Sequence, residues 1–437
     1  MSSRDTSRTI TTQPNRARVE ASFSLHVTVV DSADTDQIGT STRLDGRLTV
    51  GRDGQLSLLD PALSRQHVSL ARHKDGVTVT DLDSKNGTWV DGAELNGGRA
   101  FALPTVVRAG DSVLVVERWP PAPPRVPDAH EMLGNHPLHL QSLANVRTVA
   151  PSPLTALITG ETGTGKELAA ALIHKWSKRS GQFVAVNCAA IPENLIESTL
   201  FGHKKGAFTG ATGDSDGVFR AADRGTLFLD EVGELSLIAQ AKLLRTLEVG
   251  TITPVGASRD VKVQVRVIAA THRDLKADVE AGRFRMDLYA RLRAFPVRLP
   301  PLRDRLSDVV PMFRHFLGRS GPVPEADAVE RLLLHSWPMN VRELKALAER
   351  MKLMCAGRGI ALKDLPEEFL GPAPDSSSTS AAAAPSVAGT PDIDELRDLL
   401  VAHHGNIGRI AKALNKDRTQ VYRWLKKYDL DAAQFRP

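Results

Sequence analysis

Apolar and polar positions change rhythm twice along the chain. In residues 23–118 the rhythm is two. Leu25-His-Val-Thr-Val-Val30, Arg47-Leu-Thr-Val50, His67-Val-Ser-Leu70 and Val77-Thr-Val-Thr80 alternate or run β-branched, with Gly, Asp and Asn between them. Short strands separated by turn residues predict an all-β sandwich. Residues 131–370 instead alternate apolar runs with helical stretches, which predicts a parallel α/β sheet over 131–300 and a helical subdomain over 301–370. Its strands are expected at 154–159, 183–187, 226–229 and 265–270. In residues 392–437 the spacing becomes i, i+3, i+4, i+7. Leu396, Leu399, Leu400 and His403 form one set, Ile407, Ile410, Ala411 and Leu414 a second, and Val421, Trp424, Leu425 and Tyr428 a third. Three helices are predicted, with Asn406 as a cap and Asp417 with Gln420 as a capping box.

The stretches between these blocks lack periodicity. Residues 1–22 form a polar tail, 119–130 hold a proline-rich linker, and 371–391 are rich in Ser, Ala and Pro. A length of 437 residues suits several domains. The tail carries no apolar stretch of the signal-peptide kind, and no run is long enough to span a bilayer. Two cysteines without metal or disulfide spacing fit a reducing cytoplasm. The net charge of +5 is modest, but residues 401–428 hold seven Lys/Arg against one acid. That local density suits phosphate contacts.

Candidate chemistry begins at Gly160-Glu-Thr-Gly-Thr-Gly-Lys166, between an expected strand and an expected helix. In this context G-x-x-x-x-G-K is a phosphate loop, with backbone N–H groups and the lysine turned toward phosphate oxygens. Residue 167 is Glu, so the usual Mg²⁺-binding hydroxyl is missing there. Thr226-Leu-Phe-Leu-Asp-Glu231 is an apolar strand ending in two carboxylates. Asp230 is placed to hold Mg²⁺ through the nucleotide, and Glu231 to polarise the attacking water.

The central block resembles the AAA+ domain of the sigma-54-dependent bacterial enhancer-binding proteins, from about residue 133 to 370. In that family Glu167 is usual. The resemblance implies that Gly160, Glu161, Thr162, Gly163, Thr164, Gly165, Lys166 and Glu167 bind nucleotide, with Arg342 of Trp337-Pro-Met-Asn-Val-Arg-Glu-Leu344 as second sensor. It implies that Asn187 holds the catalytic Glu231 until nucleotide is sensed. It implies that Arg285 and Arg291 reach a neighbouring subunit's ATP, and that Thr271-His272 is the first sensor. Gly206, Ala207, Phe208, Thr209, Gly210 and Ala211 resemble that family's sigma-54-contacting loop, whose terminal glycines permit hinging. Two departures are visible: Lys204 stands where an acid is expected, and Met339 replaces a glycine.

The last block resembles the Fis-type helix-turn-helix end of the same activators. Arg418, Thr419, Gln420 and Arg423 are then candidates for base edges, and Lys412, Lys426 and Lys427 for DNA phosphates. At the front, Gly51-Arg52, Ser64-Arg-Gln-His67 and Asn86-Gly-Thr88 together resemble a forkhead-associated (FHA) domain, a phosphothreonine reader. Arg52 and Ser64, with Arg65 assisting, are expected to grip phosphate, Asn86 to bind the ligand backbone, and His67 to brace the loop.

The resemblances together imply a cytoplasmic, hexamer-forming ATPase that uses ATP and Mg²⁺. Its expected partners are the sigma-54 RNA polymerase holoenzyme, double-stranded upstream DNA, a phosphothreonine protein or Ser/Thr kinase, and further copies of itself. A DNA-binding repressor with an idle ATPase and a phosphoprotein adaptor are the alternatives.

Overall fold

The computed structural model describes residues 23–74, 76–121 and 131–370, together with Leu400 and Leu425. Residues 23–370 belong to one compact unit; Leu400 and Leu425, both in helical segments, belong to a second. The candidate DNA contacts Lys412, Arg418, Thr419, Gln420, Arg423, Lys426 and Lys427 lie outside the described residues.

The front of the first unit is the expected β-sandwich. Eleven strands run in chain order: β1 (Ser24–Asp31), β2 (Ser41–Arg43), β3 (Arg47–Gly51), β4 (Leu56–Ser57), β5 (Val68–His73), β6 (Gly76–Asp81), β7 (Thr88–Val90), β8 (Ala93–Glu94), β9 (Gly98–Ala102), β10 (Thr105–Ala109) and β11 (Ser112–Trp119). They form one sheet ordered β2-β1-β11-β10-β7-β8 and another ordered β4-β3-β5-β6-β9. The period-two pattern fills the space between them with Val27, Val29, Val50, Leu70, Val79, Val107, Leu114 and Val116.

The ATPase-like part follows. Helix α1 (Pro137–Val149) leads into β12 (Ala156–Thr159), α2 (Lys166–Ser177), β13 (Phe183–Asn187), α3 (Glu193–Phe201), α4 (Gly217–Ala221) and β14 (Thr226–Asp230). Then come α5 (Leu237–Val249), the short pair β15 (Thr251–Ile252) and β16 (Val261–Lys262), β17 (Arg266–Thr271), α6 (Leu275–Glu280), α7 (Met286–Leu292) and β18 (Phe295–Arg298). The main sheet is parallel, ordered β13-β14-β17-β12-β18. Its four inner-sequence strands match the predicted runs. The fifth, β18, carries Pro296 and sits at the sheet edge, where a missing N–H is tolerated. Parallel register sets Thr159 beside Thr271 and Asn187 beside Asp230, so these residues share the sheet's carboxyl edge. Ligands bind at that edge in such sheets.

Helices α8 (Val309–Leu317), α9 (Ala326–Leu334), α10 (Asn340–Met354) and α11 (Glu367–Leu370) form the lid. The sequence divides front domain and lid into separate blocks; the structure packs them on one core. Val30, Val106, Val113 and Val115 leave the sandwich on its outer face and pack with Phe313, Val329, Leu332, Leu333 and Trp337 of the lid. The cause is alternation: in β11, Leu114 and Val116 face inward, so Val113 and Val115 face out, and all four are fully buried. Full burial of a valine is worth about 1.5–3 kcal/mol. The outer face of this sheet is therefore held against the lid chiefly by apolar contact.

Replacing Phe313 by alanine opens a cavity in this shared core. We expect a loss of about 3–5 kcal/mol. Amide exchange should accelerate in β10 and β11 of the front domain as well as in α8; acceleration confined to the lid would mean that the two do not share a core.

Candidate functional site

The phosphate loop joins β12 to α2. Gly165 precedes the helix at φ +101°, and Gly163 sits at +79°, both in the left-handed region open to glycine. A Cβ on Gly163 would come 2.0 Å from the Met339 carbonyl, so the lid rests directly on the loop. Val341 donates its N–H to the Gly163 carbonyl at 3.1 Å. Asn340 does more. It is buried, at φ 52°, a conformation asparagine tolerates better than most residues. Its side chain accepts from the Leu302 N–H at 2.7 Å and donates to the Thr162 carbonyl at 3.0 Å. Asn340 was legible as part of the second-sensor motif, but its role as the tie between lid and loop was not.

A cleft of about 600 Å³ opens along this loop. Thr162, Gly163, Thr164, Gly165, Lys166, Glu167, Asn187, Asp230, Glu231 and Arg342 line it, joined by Met132, Met312, His315 and Phe316. Of the expected nucleotide residues, Gly160 and Glu161 are not in the lining. Glu161 faces the lid base instead, where Arg303 holds it through two bonds of 2.8 and 2.5 Å, and this ion pair keeps its carboxyl below the usual range.

Lys166 donates to the Gly160 carbonyl at 3.1 Å and lies 3.4 Å from Glu231 Oε1. Burial pushes the Asp230 carboxyl up, and the adjacent Glu231 charge pushes it further. Burial alone would raise Glu231 too, but Lys166 and bonds from His272 outweigh it and hold that carboxyl below its usual range. The two adjacent carboxyls are thus shifted in opposite directions. Among the described residues no cluster of three metal-type side chains occurs. A strand-end carboxylate in the cleft wall, without further protein ligands clustered on it, fits a cation completed by nucleotide phosphates and water, not an all-protein cage.

The group on Glu231 is His272, not Asn187. His272 Nδ1 lies 2.8 Å from Glu231 Oε2, and its backbone N–H 3.2 Å. An ionised carboxylate only accepts, so Nδ1 carries the hydrogen. Asn187 lines the cleft, but its side chain accepts from the Ala189 N–H at 2.9 Å, capping a 3-10 turn. Arg285, just before α7, and Arg291, on it, are exposed and bonded to Asp287 and to the Leu247 carbonyl, and neither lines the cleft of its own chain.

The two departures in the sequence have local explanations. Met339 sits at φ −102°, so no glycine is required there; the left-handed residues are its neighbours Trp337 and Asn340. Lys204 pairs with Asp214 at 2.5 Å, across the base of the 206–211 loop. In that loop Gly206 and Gly210 have φ +79° and +101° with open space around them. Gly206 donates to the Ala211 carbonyl at 2.9 Å and closes the loop; Thr209 is exposed, and half-buried Phe208 rests edge-on against His203.

In the sandwich, Arg52, Arg65 and Asn86 are exposed on neighbouring loops, with Ser64 half-buried between them. The Arg52 N–H donates to the Ser64 carbonyl, and Ser64 Oγ accepts from the Lys85 N–H at 3.0 Å. His67 is buried, accepts from the Ser64 N–H and reaches the Gly87 carbonyl at 2.9 Å, bracing two of the loops as expected.

Truncating His272 to alanine should lower the maximal rate of ATP hydrolysis on the order of tenfold, the worth of one bond to a charged group, with KM little changed. His272→Asn should recover most of it. Equal loss in both variants, or a loss confined to KM, would remove His272 as the group that positions Glu231.

Comparison with known proteins places this architecture. The sigma-54 interaction domain matches residues 132–298, the AAA+ ATPase lid domain residues 303–382, and the FHA domain residues 46–115. The transcriptional regulatory protein GlrR of Escherichia coli K12 is 38% identical over 69% of this chain and 68% of its own length. The anaerobic nitric oxide reductase transcription regulator NorR of Citrobacter koseri is 43% identical over 69% of the chain, which spans 63% of that relative. Among solved structures, NtrX of Brucella abortus in complex with ATP is 30% identical, with a TM-score of 0.51 over 69% of each chain. No helix among the described residues is long and apolar enough to cross a membrane. The chain belongs to the family of sigma-54-dependent transcription regulators built on an AAA+ ATPase fold, here with an FHA domain in front.

Proposed function

We propose that this protein is an ATP-driven transcription activator that converts the sigma-54 RNA polymerase closed complex into the open complex. The observation that carries the reading is the joint presence of a lined cleft, with Lys166, Asp230 and Glu231 converging, and an exposed, glycine-ended 206–211 loop in the same domain. ATP enters the cleft with its phosphates on the 160–167 loop; Asp230 would hold Mg²⁺ together with the nucleotide, and the ion would neutralise charge developing on the phosphates. Glu231, ionised and oriented by His272, polarises the attacking water. Arg342 reports the γ-phosphate to the lid. Arg285 and Arg291, exposed and outside their own cleft, are available to a neighbouring subunit, so hydrolysis depends on assembly into a hexamer. Thr209 and Phe208 contact the sigma factor. Residues 392–437 tether the motor to upstream DNA.

The FHA domain makes this motor responsive to threonine phosphorylation. Arg52, Ser64 and Arg65 grip the phosphate and Asn86 the peptide backbone. A guanidinium fork and short donors on loops braced by a buried histidine suit a dianion.

Open-complex formation on a mapped sigma-54 promoter tests the reading, with ATP present and with or without the cognate kinase. Wild-type protein should be active, Glu231→Gln inactive, and Thr209→Ala inactive while still hydrolysing ATP. ATP turnover without open complexes under any phosphorylation state would mean that the motor serves another partner.

The Arg52→Ala variant should lose binding to phosphothreonine peptides by at least about tenfold, as expected for a charge-assisted grip, in a fluorescence anisotropy titration. Equal binding of phosphorylated and unphosphorylated peptides by the wild type would leave the front domain as a structural clamp.

A further inference from the structure

The FHA loops and the nucleotide cleft lie on opposite sides of the interface between sandwich and lid, and an unbroken set of contacts runs between them. At the loop end, Asn86 Nδ2 donates to the Ala62 carbonyl at 2.8 Å. The Ala62 N–H donates to Asp60 Oδ1 at 2.8 Å. Asp60 is completely buried, and its other oxygen accepts from the Asp111 N–H at 2.9 Å and the Ser112 hydroxyl at 2.8 Å. These two residues turn β10 into β11. A Cβ on Gly110 of that turn would meet Ala62 at 2.9 Å, so turn and loop are packed directly on each other. Ser112 Oγ also bonds Ser32 Oγ at 2.9 Å, next to Asp31 at the end of β1.

From there the contacts enter the lid. Asp31, buried, is bonded to Arg314 of α8. Helix α8 also supplies Met312, His315 and Phe316 to the wall of the nucleotide cleft. A second ion pair pins the same sheet: Arg108 of β10 meets buried Glu330 of α9 at 2.7 Å, with its guanidinium 3.9 Å from the Trp89 ring centroid. The other oxygen of Glu330 accepts from the Gly92 N–H at 3.0 Å, fixing the β7–β8 turn. Both pairs are largely shielded from water, where breaking one partner leaves an uncompensated charge. The far side of the lid rests on the phosphate loop through Asn340 and Val341.

We infer that sandwich and lid move as one body, and that a phosphothreonine peptide on the Ser64 and Asn86 loops and a nucleotide on the phosphate loop change each other's affinity through the Asp31–Arg314 contact. The inference rests on the phosphothreonine and ATP readings above and adds how the two are joined. The physical reason is that Asn86 is engaged internally on Ala62 when no peptide is bound. A peptide backbone that draws the Asn86 amide away alters the hold on Ala62, Asp60 and the β10–β11 turn; through Ser112 and Ser32 that turn reaches Asp31, and through Val113 the apolar face against α8. Linkage requires the effect to be reciprocal: whatever factor the peptide imposes on nucleotide affinity, nucleotide imposes on the peptide.

The full chain is used, with a fluorescent degenerate phosphothreonine peptide pool and a fluorescent ATP analogue as probes. In wild type, each should shift the other's Kd by about fivefold or more, equally in both directions. The Asp31→Asn/Arg314→Met double variant removes both charges and should bring the factor to near one while each probe still binds alone. Binding of both probes with no mutual effect in wild type would overturn the inference and leave the phosphothreonine reading intact. An undiminished factor in the double variant would overturn the assigned route. A peptide pool that does not bind at all would instead defeat the phosphothreonine reading. Hydrogen exchange then decides the coupling without peptide: the ATP analogue should change exchange at residues 60–65 and 84–88 in wild type and not in the double variant. No change in wild type, or failure of the nucleotide to bind, would overturn it.

Discussion

The central strands of one front-domain sheet are covered by apolar packing on both faces, and much of the architecture follows from that. Strands β1, β10 and β11 bury one set of valines inside the sandwich and another, Val30, Val106, Val113 and Val115, against the lid. At about 1.5–3 kcal/mol for each fully buried valine, the apolar contact outweighs what the two ion pairs across it contribute, because buried pairs roughly break even against desolvation. The pairs select the register instead. Glu330 meets both Arg108 and the Gly92 N–H, and Arg314 meets Asp31, so the sheet cannot slide on the helices without stranding a charge. Apolar area supplies the adhesion, and the charges supply the fit.

The same division holds at the cleft. The phosphate loop is shaped by glycines that accept left-handed backbone, and the lid approaches so closely that a single methyl on Gly163 would collide with the Met339 carbonyl. What keeps the lid there is polar: the Asn340 side chain, the Val341 N–H and the Arg303–Glu161 pair. Val341 also lines the cleft, while Asn340, Arg303 and Glu161 sit beside it. Lid position and phosphate occupancy are therefore set by neighbouring atoms of one short loop, which is the condition for a nucleotide to move a lid.

Much of this was legible in sequence because local chemistry and global fold agree there. The strand, glycine-rich turn and helix around Lys166 and the acidic strand end at Asp230 and Glu231 sit where the pattern put them; the 206–211 loop was read from resemblance. In the front domain alternation gave the strands, and resemblance to an FHA domain picked out Arg52, Ser64, His67 and Asn86 on the loops between them. What escaped was chemistry decided by contacts distant in sequence. Asn187 and His272 both end strands beside Glu231, and only the side-chain geometry gives the glutamate to His272. Strand β18 was hidden by Pro296, which an edge position tolerates. The docking of sandwich on lid left a fainter signal, the doubled valines at 29–30, 106–107 and 115–116. A half-exposed strand would alternate there; apolar neighbours in sequence mean that both faces are covered.

The doubled valines also bear on how such a regulator is built. An ATPase and a phosphopeptide reader joined only by the proline-rich stretch at 119–130 would signal through effective concentration, and the linker would set the outcome. Here the reader's sheet is part of the lid's core, so linker length matters less than the rigidity of the shared layer. Interiors packed at crystal-like density transmit displacement instead of absorbing it. A turn that carries Asp111 and Ser112 on one side and Val113 on the other cannot shift without moving the helix packed against it. The buried Asp60, held by the loop at Ala62 and by that turn together, joins the front-domain loops to the layer that packs on the lid.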